Sequence, residues 1–377
     1  MQMSEKPLKI IVEFRKKMQS RSCIVFLGGY PYKSRLGDGY FQRVASISQN
    51  LSGFLQIFID RENIPHSSGW LDRPQPSVLS ISIRHNWLAR ITAIIAVILS
   101  KRLYIHSIYP LKNLLFLFIL PWVLKFIDFH GVVPEELHLM NDFSAAKTMG
   151  KIEEFTIRKT DYFVFVSEAM RNHFSNKYNI SFDRNYLILP IIPKLSASIS
   201  HKSTLPDRPI VVYAGGLQPW QKIPEIIDTI AKTSCDYQYK FYTSHTEELK
   251  TLLFKKGVQQ INIEIAFKPH DELLNIYKSC HFGFLLRDDH VINRVSCPTK
   301  LIEYLAFGIL PILLNDHIGD FYKMGIKYIP LYDFRSKNLP DDNCMKAMIE
   351  HNFIIYQSLL QLQQKEIETL KEIFLNY

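Results

Sequence analysis

The feature that most constrains this chain is a repeated alternation of short apolar runs of strand-forming residues with segments of helical spacing. From Cys23 to Ser167 the runs are CIVFLGG, FLQIFID, SVLSISI, LYIHSI, VLKFIDF and DYFVFVS. They resume as IVVYAGG, YQYKFYTS, INIEIAF, FGFLLRD and ILPILLN, with helical patterns such as PEIIDTIAK and HDELLNIYKS between them. Strands apolar on both faces that alternate with helices predict parallel sheets covered on both sides. The stretch from Pro193 to Pro209 is rich in Ser, Pro and Lys and lacks periodic apolar spacing, so it reads as a linker. At 377 residues the chain exceeds one ordinary core,. The expected fold class is therefore α/β with two doubly wound, Rossmann-like domains, over residues 1–200 and 201–350. The amphipathic pattern after about Cys344 is too long to cap one small domain. It is expected to break, with residues 351–377 crossing back to the first domain as a helix.

Composition narrows the function classes. With 47% hydrophobic and 21% charged residues, the chain is globular,. Its 45 Lys and Arg against 36 Asp and Glu give a net charge of +9, which suits a nucleotide diphosphate, a nucleic acid or an acidic membrane face. Nucleic acid is the weakest of these, because the basic residues are dispersed and no recognised module is present. Five scattered cysteines without a C-x-x-C pair indicate neither a disulfide framework nor a zinc site, and point to a reducing compartment,. The first twenty residues hold no apolar stretch of signal-peptide length, so a cytoplasmic location is expected. The runs Ile91 to Leu99 and Leu114 to Leu124 fall short of the roughly 20 residues that span a bilayer. A buried helix or an interfacial contact remain as alternatives for them.

Candidate chemistry centres on PTKLIEYLAFGILPIL, Pro298 to Leu313. Pro298 suits the first turn of a helix and Gly308 suits a position just past its end, which predicts a helix from Pro298 to about Phe307. The start of that helix, at Pro298 and Thr299 and preceded by Arg294, Ser296 and Cys297, would present free backbone N–H groups suited to phosphate. Lys300 and Glu303 then share a face. They form either a plain helix ion pair or a divided site, with Lys300 on phosphate and Glu303 on sugar hydroxyls, since a carboxylate can accept two hydroxyl hydrogen bonds at once. Gly37, Asp38 and Gly39 make either a loop that approaches a ligand closely or an ordinary surface turn. His130 ends a strand-like run just before Gly131, where a ligand-facing role is favoured over a structural one. Open α/β sheets place ligands at the carboxyl ends of their strands, so a cleft between the two domains is the expected site.

The segment FGFLLRDDHVINRVSCPTKLIEYLAFGILPI closely resembles the carboxyl-terminal signature of family 4 retaining glycosyltransferases of the GT-B fold. Three further stretches agree in order and spacing: VVYAGGLQPWQKIPEIIDTIAK with the donor domain, DFHGVVPEE and DYFVFVSEAMRNHFSNKY with the amino-terminal domain, and LGGYPYKSRLGDGYF with the glycine loop after its first strand. The resemblance implies two Rossmann-like domains facing a central cleft. It also implies transfer of a sugar from a nucleotide-sugar donor, UDP- or GDP-linked, to a glycan or lipid-linked acceptor, with retained configuration and with no metal or other cofactor. Glu303 matches the family's ribose-holding glutamate. The first glutamate of the paired motif is replaced by Val295, so Arg294, Ser296 or loop backbone would orient the transferred sugar. Lys222 resembles the basic residue that grips the diphosphate, while Gly216 stands where an arginine often sits. His130 matches a histidine beside the donor sugar, and Glu135 and Glu136 resemble the family's pattern as secondary candidates; His106, at a strand end in YIHSIYP, is weighed for the acceptor side and not favoured. Bacterial surface polysaccharide assembly, capsule or lipopolysaccharide, is the implied setting, with peripheral contact to an anionic membrane near Trp87, Arg90, Lys101 and Arg102. The alternatives are a nucleotide-sugar epimerase of the same architecture and, because of Val295, a catalytically inactive scaffold.

Overall fold

The computed structural model describes residues 7–18, 22–36, 38–65, 69–84, 86–193, 195, 205–258 and 262–377. Most of the expected linker, and Gly37, lie outside them. The chain divides into two compact units. One comprises residues 1–166, 171–189 and 363–377, and the other residues 167–170 and 190–362.

The first unit is built on an eight-stranded sheet. Its strands are β1 (Cys23–Leu27), β2 (Leu55–Asp60), β3 (Leu71–Gln75), β4 (Val78–Ser82), β5 (Arg102–His106), β6 (Leu124–Phe129), β7 (Tyr162–Phe165) and β8 (Tyr186–Ile188). Their order is β3-β4-β2-β1-β5-β6-β7-β8, parallel throughout except for β3 on β4. The antiparallel β3 was not anticipated, because LDRPQ is partly exposed and carries Pro74. A proline lacks the ladder donor and is confined to edges, which is where β3 sits. The other strands are nearly all buried on both faces, as parallel pairing requires,. The strand order reverses between β1 and β5, so their carboxyl ends flank a natural ligand crevice,.

The second unit repeats the scheme with β9 (Ile210–Ala214), β10 (Gln238–Tyr242), β11 (Ile263–Ala266), β12 (Phe282–Phe284), β13 (Leu310–Leu313) and the short β14 (Ile329–Pro330). All are parallel, in the order β11-β10-β9-β12-β13-β14, with the reversal between β9 and β12. The helix Ile223–Thr233 shows how the pattern encodes packing. Ile223, Ile226, Ile227 and Ile230 recur at helical spacing and are all buried in this unit's core,.

The carboxyl-terminal pattern is a single helix, Asp342–Asn376, of 35 residues. The expected break is absent, because no Pro or Gly interrupts the repeat. Its Met345 packs into the core of the second unit, and its Ile367, Leu370 and Phe374 into that of the first. Of the two apolar runs, Ile91 to Leu99 lies in the helix Trp87–Ser100, capped by the Asn86 side chain on Ala89 N (3.2 Å). Leu114 to Leu124 forms a short 3-10 helix, Leu115–Ile119, followed by β6. No helix among the described residues is long and apolar enough to cross a membrane.

Candidate functional site

In the second unit the chemistry gathers at the carboxyl ends of β9 and β12, on either side of the strand reversal. The signature helix runs Thr299–Ala306, with Pro298 as its N-cap residue rather than its first helical one. At the other end Ile309 N bonds to Tyr304 O (2.9 Å) and Gly308 N to Leu305 O (3.5 Å), a Schellman closure,. Gly308 adopts φ 63, which a side chain would strain,. Both helix-end signals in the sequence therefore acted as their chemistry predicts, with a shift of one residue at the start.

Lys300 and Glu303 do not pair with each other. The Lys300 ammonium lies 3.9 Å from the centroid of the Tyr213 ring and 3.5 Å from Gln221 Oε1. It comes close to the turn after β9, where a Cβ added at Gly215 would stand 2.8 Å from Lys300 Nζ. Burial and the nearby charge of Arg287 push the Lys300 pKa well below its ordinary value. Arg287, three residues past the end of β12, is in turn lowered to about 10 by burial. It donates to Asn293 Oδ1 (3.3 Å), and its Nε has no hydrogen-bond partner among the described residues. Neither cation forms an ion pair with a described residue. These are two like charges near the strand ends, neither in an ion pair with a described residue, an arrangement that an anion would stabilise. The backbone N–H groups of Thr299 and Lys300, in the first turn of the helix, add to it.

Glu303 is buried in the same helix and has partners of its own. His270 Nε2 lies 2.8 Å from its Oε1, and Tyr277 Oη donates to Oε2 (3.1 Å). The Glu303 hydrogen bond raises the His270 pKa above the usual imidazole value. The carboxylate keeps unused acceptor capacity on both oxygens. Lys300 and Glu303 therefore make no ion pair with each other, and each contacts its own set of side chains.

Other sequence candidates in this unit are placed less directly. Lys222 adopts a left-handed conformation (φ 53) as N-cap of the helix Ile223–Thr233. Its ammonium contacts Asp288 (2.7 Å) and Glu225 (3.3 Å), and the Asp288 bond raises its pKa. Gly216 accepts from the Tyr213 hydroxyl, which closes the β9 turn. Arg294 is exposed and paired with Asp289. Ser296 donates from Oγ to Asn293 O (3.0 Å). The Val295 side chain is buried, so a core contact fills the position where the family motif carries its first carboxylate. Sequence reasoning missed Arg287. The available signal was a single cation terminating the otherwise apolar run FGFLLR at a strand's carboxyl end.

The first unit has its own polar centre beside the β1/β5 reversal. Asp128, wholly buried in β6, accepts from Arg43 Nε (3.1 Å) and Nη2 (2.9 Å) and from Tyr104 Oη (2.9 Å). His130 Nε2 lies 3.1 Å and His106 Nδ1 3.7 Å from its Oδ2. Burial opposes ionisation of Asp128, yet the charge of Arg43, followed by the two histidines, overcomes it and holds the carboxyl well below the usual range. Burial pushes His106 down to about 4, so that ring is neutral at pH 7. The candidate His130 is therefore positioned through Asp128, on a strand end, with a partly accessible ring. His106, Asp128 and His130 have the proximity of a metal-ligand set. The bidentate Arg43 contact, however, already supplies the counter-charge on both Asp128 oxygens. Asp38 caps the helix Gly39–Asn50 by accepting from Tyr40 N (2.9 Å), so Asp38 and Gly39 form a helix start. Glu135 pairs with Lys177 (2.7 Å) and lies 3.3 Å from His173; burial opposes these contacts, but they lower it to about 2. Glu136 is pushed up by burial.

No family model matches the chain, and no curated protein does. Solved structures do. Sucrose-phosphate synthase from Thermosynechococcus elongatus superimposes with a TM-score of 0.68 at 12% identity, covering 95% of this chain and 100% of that one. HepE from Anabaena, in complex with UDP and glucose, gives 0.65 at 11% identity over 93% and 100%. The E. coli trehalose-6-phosphate synthase structure bound with UDP-2-fluoro glucose gives 0.60 at 11% over 93% and 99%. These neighbours are GT-B glycosyltransferases. At such low identity the likeness establishes the architecture, and the chain has the GT-B fold, α/β with two parallel-sheet domains.

Proposed function

We propose that the protein is a glycosyltransferase that takes a sugar from a nucleoside-diphosphate donor held by the second unit. The observation that carries this reading is the pair of cations, Arg287 and Lys300, that form no ion pair with a described residue at the β9/β12 strand reversal beside the first turn of a helix. A diphosphate supplies the missing counter-charge. Glu303, one turn along the same helix, is assigned to the hydroxyls of the nucleoside's ribose,. Departure of the nucleoside diphosphate from the anomeric carbon develops negative charge, and preorganised cations lower that barrier. Lys222 is assigned a secondary role at the same diphosphate, reached by exchanging its Asp288 partner. The loop Arg294 to Ser296 is assigned to the transferred sugar in place of the absent carboxylate. His130 and the Asp38–Gly39 helix start are assigned to the sugar and acceptor.

The finer reading is a family 4 type enzyme of surface polysaccharide assembly that works with retention, without a metal, on a glycan or lipid-linked acceptor. It rests on the motif resemblance. The UDP and the UDP-sugar bound in structurally similar proteins favour a UDP donor. Peripheral attachment to an anionic membrane is supported by the exposed apolar face of the helix Trp87–Ser100. The buried Val295 favours a second reading, an inactive relative that binds donor without turning it over, and product formation separates the two.

Calorimetric titration of wild type and Glu303→Gln with UDP and with uridine tests the assignment. Hydrogen bonds to charged groups contribute about 1.5–3 kcal/mol, so Glu303→Gln should weaken both ligands by roughly one to two powers of ten. Unchanged affinity for uridine in the folded variant would refute the ribose role of Glu303.

A further inference from the structure

Val295 is buried, yet the same segment keeps a carboxylate at its start. Asp288 lies just past the end of β12, its side chain is 57% exposed, and a single turn of helix, Val291–Arg294, separates it from Val295. Its backbone is fixed, because Asp288 O accepts from Asn293 Nδ2 (2.9 Å) and from His290 N (2.8 Å). Asn293 is buried and its Oδ1 also accepts from Arg287 (3.3 Å), so one side-chain amide sets both the cation and the carboxylate that follows it. Among the described residues the Asp288 carboxylate meets one partner, the Lys222 ammonium at 2.7 Å, which Glu225 shares at 3.3 Å. Lys222 holds a left-handed backbone (φ 53), a strained conformation of the kind that concentrates at functional sites,. The residue before it, Gln221, reaches Lys300 (3.5 Å). The neighbours Gln221–Lys222 and Arg287–Asp288 thus bring Lys222, Arg287, Lys300 and one exposed carboxylate to the same strand reversal. The other nearby carboxylates are committed elsewhere. Asp289 is held by Arg294 and by His317 (3.1 Å), which keep its carboxyl below the usual range, and Glu303 is held by His270 and Tyr277.

We infer that Asp288 reads the transferred sugar, and that it does so by exchange: the donor's diphosphate takes Lys222, and the released Asp288 carboxylate accepts hydrogen bonds from hydroxyls of the sugar joined to that diphosphate. The inference rests on the donor reading of the second unit and adds to it a specificity-determining residue. A carboxylate only accepts, on two oxygens, which suits a pair of sugar hydroxyls. A nucleoside diphosphate without its sugar breaks the Lys222–Asp288 pair and offers nothing in return, leaving two like charges side by side. An intact donor replaces the lost contact. The site therefore favours donor over spent nucleotide, and after transfer Asp288 returns to Lys222 and loosens the product.

The test is calorimetric titration of the full-length wild type, Asp288→Asn, Lys222→Met and the double variant with UDP, UDP-glucose, UDP-galactose and UDP-N-acetylglucosamine. An exposed ion pair is weak, so Asp288→Asn should tighten UDP by only about two- to fivefold. Hydrogen bonds to a charged group are stronger, so the affinity of the best-bound UDP-sugar relative to UDP should fall by about tenfold or more. In the Lys222→Met background Asp288→Asn should no longer tighten UDP, because the pair it releases is gone. A residue that only shaped the loop would shift UDP and UDP-sugar by the same factor, and that result would overturn the inference. So would unchanged or weaker UDP binding by Asp288→Asn, or the same gain with and without Lys222. A wild type that binds no UDP would overturn the donor reading and this inference with it, whereas UDP binding that Asp288→Asn leaves unchanged overturns the exchange alone.

Discussion

Replacing Lys300 by Met separates a ligand-binding cation from a structural one, because the two roles predict opposite effects on the folded state. The Lys300 ammonium is desolvated, faces the charge of Arg287, and is compensated only by the Tyr213 ring at 3.9 Å, a 3.5 Å contact to Gln221 and the more distant Glu303. Each pKa unit by which the folded state disfavours that charge costs it about 1.4 kcal/mol. The cation–π contact returns about 0.5–2 kcal/mol. Met keeps most of the side-chain volume and removes the charge, so Lys300→Met should be more stable than wild type at pH 7, by about 1 kcal/mol in urea unfolding. The sign with pH follows from the depressed pKa. The unfolded lysine stays protonated to about pH 10.4, so the wild-type penalty is fully present below the folded pKa and disappears as pH rises to 10.4. The stability advantage of Lys300→Met should therefore shrink between neutral pH and pH 10. The same substitution should weaken UDP by roughly ten- to a hundredfold, the loss of a charge-assisted phosphate contact, and uridine far less. A variant that is less stable than wild type and binds UDP equally well would refute the argument, for Lys300 would then be a structural residue.

Three further outcomes follow from the geometry. Arg43→Met strands the buried Asp128 carboxylate and should destabilise the first unit by about 3–5 kcal/mol in denaturant unfolding, with Asp128→Asn added to it recovering much of the loss; a change under about 1 kcal/mol would contradict the buried pair. His106 is held neutral with its pKa lowered from 6.5 to about 4, so its stabilising contribution is present above pH 6.5 and is lost as pH falls toward 4, about 3 kcal/mol in all. Amide exchange in β5 and β6 should report that loss for the first unit alone, apart from His270, whose raised pKa gives the opposite sign in the second; protection that stays flat from pH 7 to 4.5 would refute it. Proton NMR of the first product formed from an α-linked nucleotide sugar should show an α linkage, and a β product would exclude the retaining mechanism.

The division between sequence and tertiary structure follows the range of the interactions involved. Strands buried on both faces, the helix Thr299–Ala306 and its closure at Gly308 were readable because period, proline and glycine act within a few residues. The continuity of Asp342–Asn376 was equally local, and a pattern without a breaker should have been read as unbroken. Edge strands β3 and β14 escaped because a short, half-exposed segment becomes a strand only when a neighbour supplies its ladder. The fate of Lys300 and Glu303 could not be read from their spacing. Position i to i+3 permits an ion pair, and only the fold brings Tyr213 and Gln221 to one residue and His270 and Tyr277 to the other. Asp128 likewise became the anchor of His130 because Arg43, distant in sequence, reaches it from the helix Gly39–Asn50. Arg287 is the sharpest case. Alone it is one more cation in a basic chain, and its meaning comes from its place just past β12 at the strand reversal, near Lys300, with neither cation in an ion pair with a described residue. Local chemistry sets the elements, whereas the electrostatics of a site depend on which distant charges the topology brings together and which it leaves out.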